Sequence, residues 1–254
     1  MNVVRIALLH LALAPGSLEM NFAAVEHGVS IAAEQGADWV VTPELCISGY
    51  QFTDRIGTNW IGSHPDRWTV GVCNLARLHR LLIIIGHVER DDAGKLYNSA
   101  FLIDQDGSII GQHRKLNAPA EPWAAVGEHA LPALWNGISI GMLICSDAYP
   151  KRIAEQLRIA GAQLLISPCA WGPGLHGPEG EWESRSAENG LPLIVCNRTG
   201  RETTLSFSKA ESLVIKNGKR LLAHSSEKSA VLVFDWDMVN MLPCSRRFET
   251  AYLE

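Results

Sequence analysis

Short apolar runs alternate along the chain with longer segments whose apolar positions recur at helical spacing, and this alternation predicts an α/β fold. Residues 3–9 form the first apolar run. Residues 18–35 carry a helical pattern closed by Gly36, and 39–42 form a second run rich in β-branched side chains that stops at Pro43-Glu44. A further helix is expected ahead of the run 81–86. Residues 97–103 and 108–111 flank Asp106-Gly107, a pair suited to a hairpin turn, so the sheet is expected to be mixed rather than purely parallel.

The second half repeats the theme. Residues 138–144 read as a strand, 150–160 as a helix ending at Gly161, 163–167 as a strand, Glu181–Asn189 as a helix ending at Gly190, and 193–196 as a strand. Later strands are expected at 212–215, 219–223 and 230–235, the first two joined by Asn217-Gly218. Beyond Met238 the pattern fades, and the tail 238–254 is expected to reach a neighbouring subunit. The segment 171–180, with four glycines and two prolines, is the least regular and reads either as a loop beside a site or as a surface excursion. No linker divides the chain, so residues 1–254 are expected to form one domain.

Composition narrows the function. The 22 Lys+Arg and 27 Asp+Glu give a net charge of −5 with no clustered basic face, which argues against a nucleic-acid partner. A chain of 254 residues that is 47% hydrophobic builds a core without a disulfide or metal staple. Six cysteines stand far apart with no CxxC pair, as expected for free thiols in a reduced cytoplasm. Arg5 and His10 interrupt the apolar start, so it reads as a buried strand rather than a signal region, and no run reaches membrane-spanning length. The expectation is a soluble cytoplasmic protein with no membrane partner.

Three reactive residues follow apolar runs directly: Glu44, Lys115 and Cys145. Strand ends in an α/β sheet converge on a common crevice, so groups far apart in sequence meet there. Taken singly, each has a plainer reading: a loop carboxylate, a surface lysine, an inert buried thiol. Together they fit one chemistry. A carboxylate takes the thiol proton, an ammonium stabilises a tetrahedral oxyanion, and a cysteine holds an acyl group. Cys145 also precedes a predicted helix, whose dipole with a nearby lysine is expected to favour the thiolate.

The wording around these residues resembles the nitrilase, or carbon–nitrogen hydrolase, superfamily. The resemblance rests on Pro43-Glu44-Leu45, Arg114-Lys115-Leu116 and Gly141-Met142-Leu143-Ile144-Cys145-Ser146-Asp147, in that order. Further similarity lies in Gly36-Ala37-Asp38, Ser48-Gly49-Tyr50, the stretch from Gly161 through Ser167-Pro168 to Ala170-Trp171, Arg185-Ser186-Ala187-Glu188-Asn189-Gly190, and Asn197-Arg198-Thr199-Gly200. It implies an α-β-β-α sandwich with two mixed sheets. Glu44 is then the general base, Lys115 the stabiliser of the tetrahedral intermediate and Cys145 the nucleophile that forms a thioester. The backbone N–H of Ser146 joins Lys115 in the oxyanion hole. The resemblance also implies no metal or organic cofactor and at least a homodimer.

Glu121, in Ala120-Glu121-Pro122-Trp123, resembles the second glutamate of the amidase-type members, with Glu128 as a competing carboxylate. Cys169, after another apolar run, is the rival thiol. Nitrilases of this superfamily place Trp-Glu after the nucleophile; Ser146-Asp147 stands closer to the amidase and carbamoylase branch, with serine in place of the customary aromatic. The expected reaction is therefore hydrolysis of a small amide or N-carbamoyl compound to an acid and ammonia or amine. Nitrile hydrolysis, acyl transfer through the same thioester and a non-catalytic binding member are the alternatives. Tyr50, Trp123 and Trp171, with Ser146, are expected to line the substrate pocket under a 171–180 rim, whereas Trp39, Trp135 and Trp236 read as packing.

Overall fold

In the computed structural model, which describes residues 3–174 and 176–253, strand β1 (Val3–His10) shows how the layers form. Val4, Ile6 and Leu8 point into one apolar cluster and Ala7 and Leu9 into another, the two-residue period of a strand buried on both faces. The second cluster is completed by α1 (Leu18–Glu34) and α3 (Arg67–His79). The first cluster is completed by a second sheet, with two more helices beyond it. The result is the four-layer sandwich.

The chain runs through β1 and α1 to β2 (Trp39–Val41), a single turn α2 (Thr53–Ile56), α3, β3 (Leu82–Arg90), β4 (Leu96–Ile103) and β5 (Ile109–Arg114). It continues through β6 (Ala133–Trp135), β7 (Ile138–Met142), α4 (Lys151–Ile159), β8 (Leu164–Cys169), α5 (Glu181–Asn189), β9 (Leu193–Asn197), β10 (Ser212–Lys216), β11 (Lys219–His224), β12 (Ala230–Asp237), β13 (Leu242–Pro243) and β14 (Glu249–Tyr252). One sheet has the order β13-β12-β1-β2-β3-β4-β5, with β14 also on β12; the other has β11-β10-β9-β8-β7-β6. Both are mixed. In each half three parallel strands are followed by an antiparallel one: β1, β2, β3 then β4, and β7, β8, β9 then β10. The two halves suggested by the sequence share this strand pattern.

Within the chain the tail returns to the sandwich: Glu249–Tyr252 pairs antiparallel with Ala230–Val233, and Leu242 and Pro243 pair with Asp237 and Trp236. These short strands satisfy backbone groups on the outer edge of β12. Trp39 and Trp236 are fully buried and Trp135 nearly so, with Trp39 and Trp135 edge to face at 5.0 Å between the sheets. All six cysteines are unpaired. Among the described residues no helix is long and apolar enough to cross a membrane.

Candidate active site

Glu44, Lys115 and Cys145 lie just beyond β2, β5 and β7, and folding the two sheets face to face brings these ends together. Lys115 Nζ donates to Glu44 Oε1 at 2.6 Å and to Glu121 Oε1. Asn98, on β4, donates through Nδ2 to both carboxylates, at 2.7 Å to Glu44 Oε1 and 2.8 Å to Glu121 Oε2. The backbone N–H of Ala170 donates to Glu44 Oε2 at 2.9 Å. Glu44, Lys115, Asn98 and Glu121 are each at most 3% exposed. Glu128, in contrast, is exposed and lines a separate surface hollow with Arg114 and Tyr97, so Glu121 is the lysine's second partner.

A close backbone approach sets Glu44 in place. A Cβ on Gly86 of β3 would lie 2.6 Å from the Pro43 carbonyl oxygen and 2.8 Å from Glu44 Cα, so only glycine fits. The next residue, Leu45, has a φ of 50°, and Cys145 has a φ of 47°. Left-handed backbone at non-glycine residues is strained and persists where the surroundings over-determine it.

Electrostatics follow from burial. Burial works to lower the Lys115 ammonium, but Glu44 and Glu121 outweigh it and hold the group well above its usual value, so it is charged. Burial pushes the Glu121 carboxyl up, against the pull of Lys115. The Cys145 thiol is raised well above the ordinary range by burial, then by a contact with Cys169 and the charge of Glu44, with Lys115 pulling the other way. This corrects the expectation of a resting thiolate: a four-residue 3-10 turn, Cys145–Ala148, follows the cysteine, and desolvation exceeds what that turn and one shared ammonium return. The resting group is a thiol that requires a base.

Asp147 ties this turn to the lysine loop. It is fully buried, and its Oδ1 accepts from the backbone N–H groups of Leu116 and Asn117, at 2.9 and 2.8 Å. Its Oδ2 accepts from Ile144 N at 3.0 Å and from His113 Nε2 at 2.8 Å. Ser146 adds two bonds to Asn117: its hydroxyl donates to the Asn117 carbonyl at 2.6 Å, and its own carbonyl accepts from Asn117 Nδ2 at 2.7 Å. Asn98, His113 and Gly86 were not singled out from sequence; Asp147 entered there as the end of the cysteine motif, two residues after Cys145, without this tethering role.

A cleft of about 880 Å³ opens over Cys145, with Tyr50, Ser146 and Trp171 among its walls. Tyr149, Leu205 and Phe207 also line it and were not expected to. Trp123 does not: it packs edge to face on Phe52 at 5.0 Å, because the backbone N–H of Ala125 is tied to Leu96 O and draws this segment onto β4. Cys169 lies behind the cleft, fully buried, with its Sγ 3.2 Å from Ser167 Oγ. The 171–180 segment is the rim. Trp171 Nε1 and Tyr149 Oη both donate to the His176 carbonyl, at 2.6 and 2.9 Å, which pins the rim over the cleft; Leu175 lies outside the described residues. Among the described residues no group of three or more His, Cys, Asp or Glu side chains is placed to hold a metal ion.

Asn197, at the end of β9, supports the cleft from below: its Oδ1 accepts from Trp171 N and its Nδ2 donates to Trp171 O. Its carbonyl accepts from His10 Nδ1 at 2.9 Å. His10 is fully buried, and burial followed by the nearby His224 lowers its pKa from 6.5 to about 4. The unfolded chain therefore takes up this proton first as the pH falls. Stability from this site is intact above pH 6.5 and is lost on acidification, by about 3 kcal/mol at pH 4. Urea denaturation at pH 7 and pH 4.5 should show a smaller drop for His10→Gln than for the wild type; parallel drops would contradict the assignment.

The four-layer sandwich with its two mixed sheets is the fold of the nitrilase superfamily. Within it, the chain belongs to the carbon–nitrogen hydrolase family, whose model matches residues 5–242. The chain is similar to a probable nitrilase from Schizosaccharomyces pombe, 26% identical over 84% of this chain and 80% of that one. It is also similar to the N-carbamoylputrescine amidase of Solanum tuberosum, 25% identical over 93% of this chain and 87% of that one. An amidase structure from Nesterenkonia sp. superposes with a TM-score of 0.81 at 25% identity, covering 92% of this chain and 90% of that one.

Proposed function

We propose that this carbon–nitrogen hydrolase is a thiol-dependent amidase that converts a small linear amide to a carboxylic acid and ammonia or amine. Glu44 Oε1 already accepts from Lys115 and Asn98, while Oε2 accepts only from Ala170 N among the described residues and keeps a lone pair for the Cys145 proton. As the proton leaves for Glu44, Sγ attacks the amide carbon and the carbonyl oxygen becomes an oxyanion. Lys115 and the Ser146 backbone N–H stabilise it. The Glu44 proton then passes to the leaving nitrogen, the C–N bond breaks, and a thioester remains on Cys145. Water, deprotonated by Glu44, attacks this thioester and releases the acid and the thiol.

The observation that carries this reading is the buried ammonium of Lys115, held between two carboxylates beneath a cleft that Cys145 lines. Burying such a charge is costly even when paired, and ionisable groups held in this way cluster at functional sites. The N-carbamoylputrescine amidase and the Nesterenkonia amidase among the similar proteins support amides as the substrate class. The test is acid quenching of the protein with a panel of amides, followed by intact-mass and peptide analysis. The expected result is an acyl adduct on Cys145 that decays to free acid in water. Faster decay to an amide on adding amines than to the acid would make the protein an acyltransferase, and an adduct on Cys169 would overturn the mechanism.

A further inference from the structure

The cleft over Cys145 is unusual in what its walls lack. At about 880 Å³ it exceeds the needs of a two- or three-carbon amide and falls in the range of pockets that enclose ring-sized ligands. Among the described residues no Asp, Glu, Lys or Arg lines it. Tyr50, Trp171, Leu205 and Phe207 supply large apolar surface, with Tyr50 and Phe207 edge to face at 6.5 Å.

The hydroxyls that face the cleft are largely committed elsewhere. Ser146 Oγ donates to Asn117 O, Tyr149 Oη donates to His176 O, Thr204 Oγ1 accepts from Gln51 Nε2 at 2.6 Å, and Ser206 Oγ is paired with Ser208 Oγ at 3.1 Å. The Tyr50 phenol makes no hydrogen bond to a described residue, and burial pushes its pKa up, so it remains a neutral donor. A buried Arg198–Glu202 ion pair fixes Tyr50: Glu202 accepts from the Tyr50 and Gln51 backbone N–H groups, and the Arg198 guanidinium lies 4.5 Å from the Phe207 ring centre. The charges of Arg198 and Glu202 are thus spent on each other and on holding the cleft wall.

From this lining we infer that the cleft takes an uncharged amide with an apolar acyl group of about six carbons or a single ring, and rejects acyl groups that end in an ammonium or a carboxylate. The inference rests on the proposed amide hydrolysis and names its substrate class. A charged acyl end would leave water for a wall that offers no carboxylate, ammonium or guanidinium among the described residues and a single exposed imidazole, His176, whereas an alkyl or aryl end buries against Trp171, Leu205 and Phe207.

Hexanamide, 6-aminohexanamide and adipic acid monoamide are matched in length and differ in terminal charge. The expected kcat/KM for hexanamide exceeds that of each charged amide by about a hundredfold. Leu205 is 38% exposed, so Leu205→Arg is expected to fold. It should lower activity on hexanamide and raise the ratio of the anionic to the cationic amide about tenfold. Either charged amide reaching the wild-type kcat/KM of hexanamide while the Cys145 adduct still forms would overturn the inference and leave the amidase reading intact. An unchanged anion-to-cation ratio in Leu205→Arg would likewise overturn the inference that the acyl end lies against this wall. No Cys145 adduct with any of the three or with acetamide would overturn the amidase reading, and the inference with it.

Discussion

Lys115→Met is expected to lower kcat by about 10²–10³-fold, the scale of losing one oxyanion donor. The same change should destabilise the fold by about 3–5 kcal/mol, because it leaves two carboxylates buried without their cation. Glu44 and Glu121 are fully and almost fully buried, and Asn98 alone cannot neutralise them. The two effects are separable. Adding Glu121→Gln to Lys115→Met removes one of the stranded charges and should recover part of the stability in urea denaturation, with kcat still low. Cys145→Ala is the complementary control: it should abolish the acyl adduct while leaving the charged trio untouched. A Lys115→Met protein that turns over amides at the wild-type rate would rule out the oxyanion role.

The second large effect is expected at a residue that touches no substrate. Asp147→Ala removes four acceptor contacts at once, leaving the N–H groups of Ile144, Leu116 and Asn117 and the ring N–H of His113 without their partner. Unpaired buried donors cost about 1–3 kcal/mol each, so a loss of at least about 3 kcal/mol is expected even after relaxation. The carboxylate also binds the segment that places Lys115 to the turn that holds Cys145 at a positive φ. Its loss should therefore lower kcat more than it raises KM. Asp147→Asn keeps the shape but turns an N–H group toward two donors, so it should fall between alanine and wild type in stability and in kcat. Equal stability of all three proteins would contradict this account.

Much of the fold was legible in the chain because its central strands are buried on both faces. Runs such as 3–9, 39–42, 81–86 and 138–144 are apolar for that reason, and Gly36, Gly161 and Gly190, all at positive φ, close the helical patterns between them. The missed strands lie at sheet edges. Leu134 in β6 is 68% exposed, and β14 buries none of its four residues, so neither leaves a hydrophobic signature. The turn α2 is too short for a periodic pattern.

The sequence by itself determined the reactive groups, their order along the chain and their place at strand ends, because strand patterning and side-chain chemistry are local. Tertiary structure alone decided which groups meet. Glu44 reaches Lys115 across 71 positions, and Glu121 rather than Glu128 turns inward to join them. The same packing turned Trp123 onto Phe52 and placed Leu205 and Phe207 in the cleft. It also reversed the expected state of Cys145. A turn dipole can be read from neighbours in sequence, but desolvation depends on everything that covers the thiol, and that is assembled from both sheets.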